Sequence, residues 1–214
     1  MNITFAHMRL LVVTATKAEV QPFINSHPNA DVLITGVGMI ATTYQLTKHL
    51  AQKPYDLIIN AGIAGTFDRS IELGEVVQVI SEEIPELGAD DDDRFVSLTD
   101  LGFMDPNRFP FKNGKLINDF KLENLKQLNG VTVNTVNGNE TSIKKLVERC
   151  HPDVESMEGA AFFYVCLQEK IKFLQIRSIS NYIEKRNRAK WNIPLAIKNL
   201  NEYLTLIYEL EGLK

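Results

Sequence analysis

Leu57-Ile58-Ile59-Asn60-Ala61-Gly62-Ile63-Ala64-Gly65 opens on an unbroken aliphatic run and ends on two glycines. The run from Leu57 to Asn60 reads as a strand covered on both faces, and Gly62-Ile63-Ala64-Gly65 reads as the turn that follows it. Leu10-Leu11-Val12-Val13, Val32-Leu33-Ile34-Thr35 and Val76-Val77-Gln78-Val79-Ile80 are runs of the same kind. Residues 40–52 carry Ile40, Tyr44, Leu46, Leu50 and Ala51 at a spacing that fits a helix. Strand, helix and strand in that order predict an α/β sheet. The second half repeats the theme, with a strand over 132–136, helices over 142–148 and 159–170, a strand over 173–179 and a closing helix over 193–210. Residues 82–118, with Asp90 to Asp93, then Pro106 and Pro110, and scattered phenylalanines, read as a long excursion from the core, and excursions of this length are usually functional.

Length and composition limit the function classes. A chain of 214 residues with 44% hydrophobic content can bury a full core as one domain, residues 1–214. The net charge of -4 and the lack of a basic cluster beyond Lys185-Arg186-Asn187-Arg188 argue against nucleic-acid binding. No apolar stretch approaches the roughly 20 residues that span a bilayer. Residues 1–11 read as a leading strand rather than a secretory signal, and Cys150 and Cys166 read as unbridged thiols, so a cytoplasmic location is expected. The acidic run lacks the spacing of a calcium loop, and His7, His27, His49 and His151 lack ligand spacing, so no metal is expected.

Four places can carry chemistry. Gly36-Val37-Gly38 and Gly62-Ile63-Ala64-Gly65 each follow a strand, where glycine permits a sharp turn and close approach to a ligand; a turn without a ligand fits equally. Neither matches a dinucleotide or P-loop pattern. In Val154-Glu155-Ser156-Met157-Glu158-Gly159-Ala160-Ala161 a carboxylate stands at the mouth of a helix opened by small residues. Glu158 there is placed either to complement the helix dipole or to accept bonds from backbone donors or sugar hydroxyls. Met157 suits a core gap or the flat edge of a sugar or base. Arg177-Ser178-Ile179-Ser180-Asn181 brings a carboxamide to the end of a strand.

Taken together with Thr14-Ala15-Thr16-Lys17-Ala18-Glu19-Val20, Asn60 to Gly65 and Leu73-Gly74-Glu75-Val76-Val77, these segments resemble the nucleoside phosphorylase and nucleosidase superfamily, and within it the futalosine hydrolase branch. The resemblance implies a phosphorylase-like fold with a twisted mixed central sheet flanked by helices, a purine nucleoside as substrate, no cofactor and a homodimer. It implies that Glu19 activates the attacking water, that Glu158 binds ribose hydroxyls with Met157 beside it, and that Ala64 and Gly65 line the substrate site. The residues alone do not choose Glu19 over Glu83 or Glu86; the resemblance does. Asn181 matches an acidic position of the adenosine-type nucleosidases. A carboxamide both donates and accepts, whereas an ionised carboxylate only accepts, so Asn181 favours a 6-oxopurine with its carbonyl O6. The implied reaction is hydrolysis of futalosine to hypoxanthine and dehypoxanthine futalosine in menaquinone biosynthesis. The alternatives are a 5'-methylthioadenosine/S-adenosylhomocysteine nucleosidase, a purine phosphorylase, or a nucleoside sensor without turnover. No arginine stands in 14–20 or 62–67 to hold phosphate, which favours water. The resemblance places a flap over 182–191. There Trp191 would cover the 5' pocket and Arg186 or Arg188 would meet a carboxylate, unless this is simply a solvated loop. Phe103, Phe109 and Phe111 either close a neighbouring subunit's site or anchor their own loop.

Overall fold

The computed structural model describes residues 8–92 and 94–210, so the expectations for residues 1–7 and for Asp93 lie outside the described residues. In chain order the elements are β1 (Leu10–Thr14), α1 (Lys17–Ser26), β2 (Asp31–Ile34), α2 (Met39–Leu50), β3 (Leu57–Thr66), β4 (Val76–Glu83), β5 (Gly88–Asp91), β6 (Arg94–Ser97), β7 (Phe111–Lys112) and β8 (Lys115–Ile117). They continue with β9 (Lys126–Thr132), α3 (Glu140–Cys150), β10 (Val154–Ser156), α4 (Gly159–Gln168), β11 (Phe173–Tyr182), a 3-10 turn at Arg188–Lys190 and α5 (Ile193–Leu210).

The fold is α/β, a mixed sheet with helices on both faces. Alternation along β1 and β3 sorts the side chains. Leu11, Val13 and Ile58 face the side covered by α2 and α4, where Leu46, Phe162 and Phe163 pack. Leu10, Val12, Leu57 and Ile59 face the side covered by α1 and α5, where Phe23, Leu200 and Leu204 pack. Phe162, Phe163 and Phe173 meet edge to face. Helix α4 is apolar around its circumference because the core encloses it.

β3 organises the sheet. One edge pairs in parallel with β11 from Ile58 to Thr66; the other pairs with β1 near its start and with β10 at Gly65 and Thr66. β11 pairs with β4, β4 with β9 and β9 with β10, so β3, β11, β4, β9 and β10 close into a ring. This corrects the reading of Gly62-Ile63-Ala64-Gly65 as a turn: those residues continue the strand. A Cβ on Gly62 would meet Glu19 Oε1 at 3.0 Å, and one on Gly65 would meet Ile183 Cγ1 at 2.8 Å, so these glycines make room rather than reverse the chain.

Other boundaries also differ from expectation. The strand expected over 132–136 runs instead over Lys126–Thr132, because its residues pair with β4 and β10 despite the polar start Lys126-Gln127. The excursion over 82–118 returns to the sheet at both ends: Glu82 and Glu83 finish β4, and Leu116 and Ile117 pair back onto it. Between them β5 and β6 form a separate hairpin. The helix α1, for which periodicity gave no signal, contains a kink at Val20 and a proline at position 22.

Inside the ring lies a carboxylate. Glu82, 1% exposed, accepts hydrogen bonds from Gln175 Nε2 at 2.5 Å and from Thr132 Oγ1 at 2.8 Å. Thr132 in turn accepts the Ala160 N–H at 2.7 Å, so the N-terminus of α4 is tied to Glu82 through one hydroxyl. Two glycines admit this group: a Cβ would lie 2.0 Å from its Oε1 at Gly159 and 2.6 Å at Gly130. Gly159→Ala is therefore expected to destabilise the protein by about 1–3 kcal/mol or more through overpacking, measured as the midpoint shift in urea unfolding.

Candidate active site

A cleft of about 340 Å³ opens where β1, β3, β10 and β11 meet the first turn of α1. Glu19, Ala64, Gly65, Met157, Glu158 and Trp191 all line it. Glu155, Val37 and Ser180 do so as well.

Glu19 sits in the first turn of α1, and its carboxylate is fixed on both oxygens. Oε2 accepts the Thr16 N–H at 3.0 Å and the Thr16 hydroxyl at 2.8 Å, the reach-back half of a capping box; Oε1 accepts the Ile63 N–H at 3.1 Å. The kink behind it has a partner of its own. Pro22 has no N–H, and the Glu19 carbonyl and Phe23 N–H are bridged by the buried Asn201 carboxamide, at 2.8 and 2.9 Å. Helix α5 thereby sets where Glu19 stands.

Glu158 precedes α4 as its N-cap, and its Oε1 accepts the Gly38 N–H at 2.8 Å. Gly38 has φ 93°, a left-handed conformation that a side chain would strain, so the first glycine turn is a true turn that offers its backbone to Glu158. Burial pushes the Glu158 pKa up; the Gly38 N–H and the charge of Arg177 oppose that, and Glu19 adds to it.

Arg177 is the group that reading the sequence left without a role, although it stands in the quoted motif. It is 2% exposed on β11, and its guanidinium donates to the Asn60 side-chain oxygen and to the Ile176 carbonyl at 3.3 Å. Burial lowers its pKa, while Glu158, Glu82 and Glu19 raise it. Among the described residues its Nε and the neighbouring Gln175 Oε1 have no partner. No periodicity marks a buried arginine; a charge in the middle of a strand that opens on Phe173-Leu174 and is flanked by Ile176 is the available signal.

Asn181 lies next to the cleft. β11 bulges between Ile179 and Asn181, which turns Ser180 into the lining and sets Asn181 opposite Gly65. Its Oδ1 accepts the Ser180 hydroxyl at 2.8 Å, its Nδ2 donates to the Tyr182 carbonyl at 3.2 Å, and a Cβ on Gly65 would touch that Nδ2 at 3.0 Å. Arg186 does not line the cleft. Its guanidinium lies 5.4 Å from the Trp191 ring, outside it, in a neighbouring groove with Arg69, Glu184 and Lys190. Arg188 lies 5.8 Å from the same ring. Phe103 and Phe109 are exposed, whereas Phe111 leans on Tyr164 of α4. Both cysteines are free. Among the described residues no cluster of three or more metal-binding side chains occurs, and no helix is long and apolar enough to cross a membrane.

A phosphorylase superfamily model matches residues 4–209. The chain belongs to the phosphorylase superfamily. It is 28% identical to the futalosine hydrolase of Acidothermus cellulolyticus over 90% of this chain and 87% of that one, and 31% identical to that of Streptomyces coelicolor over 80% and 75%. It is 29% identical to the 5'-methylthioadenosine/S-adenosylhomocysteine nucleosidase of Tolumonas auensis over 71% and 68%. In three dimensions it resembles the nucleosidase of that name from Neisseria meningitidis, solved with methylthio-immucillin-A, at a TM-score of 0.78 and 15% identity, covering 94% of this chain and 98% of that one.

Glu82, pushed up to about 7 by burial, supplies a test of this electrostatic reading. A carboxyl that holds its proton more tightly folded than unfolded stabilises the protein below the unfolded pKa, and that stabilisation is lost as pH rises through the folded one. Between pH 4.5 and about 7 the protein is expected to lose up to about 3 kcal/mol of stability that a Glu82→Gln variant does not lose. Denaturant titrations across that range measure the difference; parallel pH profiles would refute it.

Proposed function

We propose that this chain hydrolyses the N-glycosidic bond of futalosine, releasing hypoxanthine and leaving dehypoxanthine futalosine, as a step of menaquinone biosynthesis. Membership of the phosphorylase superfamily and relatives that are nucleosidases make it an N-glycosyl hydrolase; the identity of the nucleoside is the proposed part. The observation that carries it is Asn181, a carboxamide rather than a carboxylate, set opposite Gly65 at the edge of the cleft. In support, one N–H of its NH₂ group is free of the Tyr182 bond, available to a carbonyl O6 or to N7 of a departing 6-oxopurine.

The residues take distinct parts. Glu19, held by Thr16 and Ile63, aligns and deprotonates the attacking water. Glu158 accepts the ribose hydroxyls, fixing the sugar as it becomes an oxocarbenium ion, while Met157, Ala64 and Gly65 form the walls. Asn181 donates to the base as negative charge builds on it, and Trp191 covers the 5' side. Arg186, behind that ring, swings to the carboxylate of the 5' substituent. The reaction asks nothing of a metal or a redox cofactor. The whole of residues 1–214 acts as one nucleosidase unit in the cytoplasm.

Base release from futalosine and from methylthioadenosine, each with and without phosphate, tests the reading. Futalosine is expected to be cut at a rate indifferent to phosphate, and preference for methylthioadenosine would refute the assignment. Glu19→Gln should keep substrate affinity but lose about 100-fold or more in kcat, and Asn181→Asp should lower futalosine turnover.

The active form is a homodimer built on α2. Ile40 is 87% exposed and Tyr44 60%, and with Met39 they form an apolar groove continuous with Val37, which is 56% exposed and lines the cleft. A second copy covers this face and completes the cleft wall. Analytical ultracentrifugation is expected to give a dimer that Ile40→Asp converts to monomer; an unaltered mass would remove α2 from the interface.

A further inference from the structure

Asn201 has no part in the chemistry above and does not line the cleft, yet it is bonded to the helix that carries Glu19. It is 4% exposed, on α5. Its NH₂ group donates to the Glu19 carbonyl at 2.8 Å and to the Ile197 carbonyl of its own helix at 2.6 Å, and its Oδ1 accepts the Phe23 N–H at 2.9 Å. Both donors of the carboxamide are in use, and only a side chain that donates and accepts at once can do this.

The Glu19 carbonyl and the Phe23 N–H are the pair that a regular helix would bond to each other. With the carboxamide standing between them that rung of α1 is held open, and Val20 beside it is off-helix at φ -122° and ψ 15°. A side chain that enters the ladder is a known cause of a kink. Of the bonds that fix the Glu19 carboxylate, those from Thr16 come from its own turn and would travel with it, whereas the Ile63 N–H belongs to the sheet. A straightened α1 would shift Glu19 relative to Ile63. On the other side, Ile193, Ile197 and Asn201 are spaced four apart along α5 and so share one face. The first two line the cleft. The helix face that walls the cleft therefore also sets where the water-activating carboxylate stands.

We propose that Asn201 is a positioning residue for hydrolysis: acting through the α1 backbone, it registers Glu19 against the α5 wall of the cleft, and the chemical step depends on it although it does not touch the substrate. This rests on Glu19 as the group that activates water and adds what holds it in register. It does not depend on which nucleoside is cut, because the attacking water is common to all. The effect belongs to kcat. Met157 and Glu158, which the same reading gives to the sugar, stand at the mouth of α4 and are not bonded to Asn201, so affinity is left intact. A displacement of about 1 Å at a reacting group, by contrast, can cost about 100-fold in rate.

Steady-state kinetics on the full chain test the assignment, with whichever of futalosine and methylthioadenosine wild type cuts faster. Asn201→Leu keeps the bulk of the side chain but none of its bonds, and should lower kcat about tenfold or more with KM changed less than about threefold. It also leaves two buried polar groups unmatched, so Pro22→Ala is added to it: without the proline ring the Glu19 carbonyl and the Phe23 N–H can bond each other and α1 can straighten. This double variant should regain most of the urea midpoint lost by Asn201→Leu but not the lost kcat. Recovery of kcat together with stability would show a purely structural role and overturn the proposal, as would wild-type kcat in folded Asn201→Leu. Pro22→Ala alone, with Asn201 still in place, should keep kcat within about twofold of wild type; a loss of about tenfold would give the kink to the proline ring and overturn the proposal even if neither Asn201 variant folds. Glu19→Gln separates this inference from the reading beneath it. Its loss of turnover beside unimpaired Asn201 variants sinks the inference alone; its full activity sinks the role of Glu19.

Discussion

The burial of Arg177 is the constraint on which the site depends. A guanidinium enclosed in a sheet must find partners, because an isolated charge in a medium of low polarisability is prohibitively costly. Asn60 supplies the neutral ones from the neighbouring strand, and Glu19, Glu158 and Glu82 supply the charge from α1, the mouth of α4 and β4. The same cation lets carboxylates face one cleft without expelling one another. Burial raises the Glu158 pKa, the charge of Arg177 opposes that rise and the charge of Glu19 adds to it. Loss of Arg177 would remove the charge that opposes the burial-driven rise of the Glu158 pKa.

The closed ring makes that placement repeatable. A strand with partners on both edges along most of its length cannot slip by one residue without turning its buried side chains outward. β3 is held by β1, β10 and β11, so the positions of Ile63, Ala64 and Gly65 relative to Glu155 and Asn181 are fixed by main-chain bonds. Ion pairs lie outside this ring, where Arg69 and Lys190 hold Glu184 at the surface and Arg186 stands 5.4 Å from the Trp191 ring.

Glycine carries more of this design than its turn-forming habit suggests. Gly36 and Gly38 do turn, with φ 87° and 93°. Gly62, Gly65, Gly130 and Gly159 instead leave space for the side chains of Glu19, Asn181 and Glu82. The two uses look identical in a sequence, which is why Gly62 and Gly65 read as a turn and proved to be a strand.

The sequence by itself determined the α/β order, the helix mouth at Glu158 and the turn at Gly38, whereas the choice of Glu19 and the place given to Trp191 came from the family resemblance and not from the residues. The first three follow from local periodicity, from capping chemistry and from residue types that few patterns combine. Tertiary structure alone decided that β9 runs over Lys126–Thr132, that Asn201 bridges the kink behind Glu19, and that Arg177 and Glu82 share one buried cluster. It also decided that Glu155 and Asn181 flank Gly65. Each of these joins residues far apart in the chain through a strand register or a side-chain bond, and no local pattern records which distant partner a buried polar group will meet.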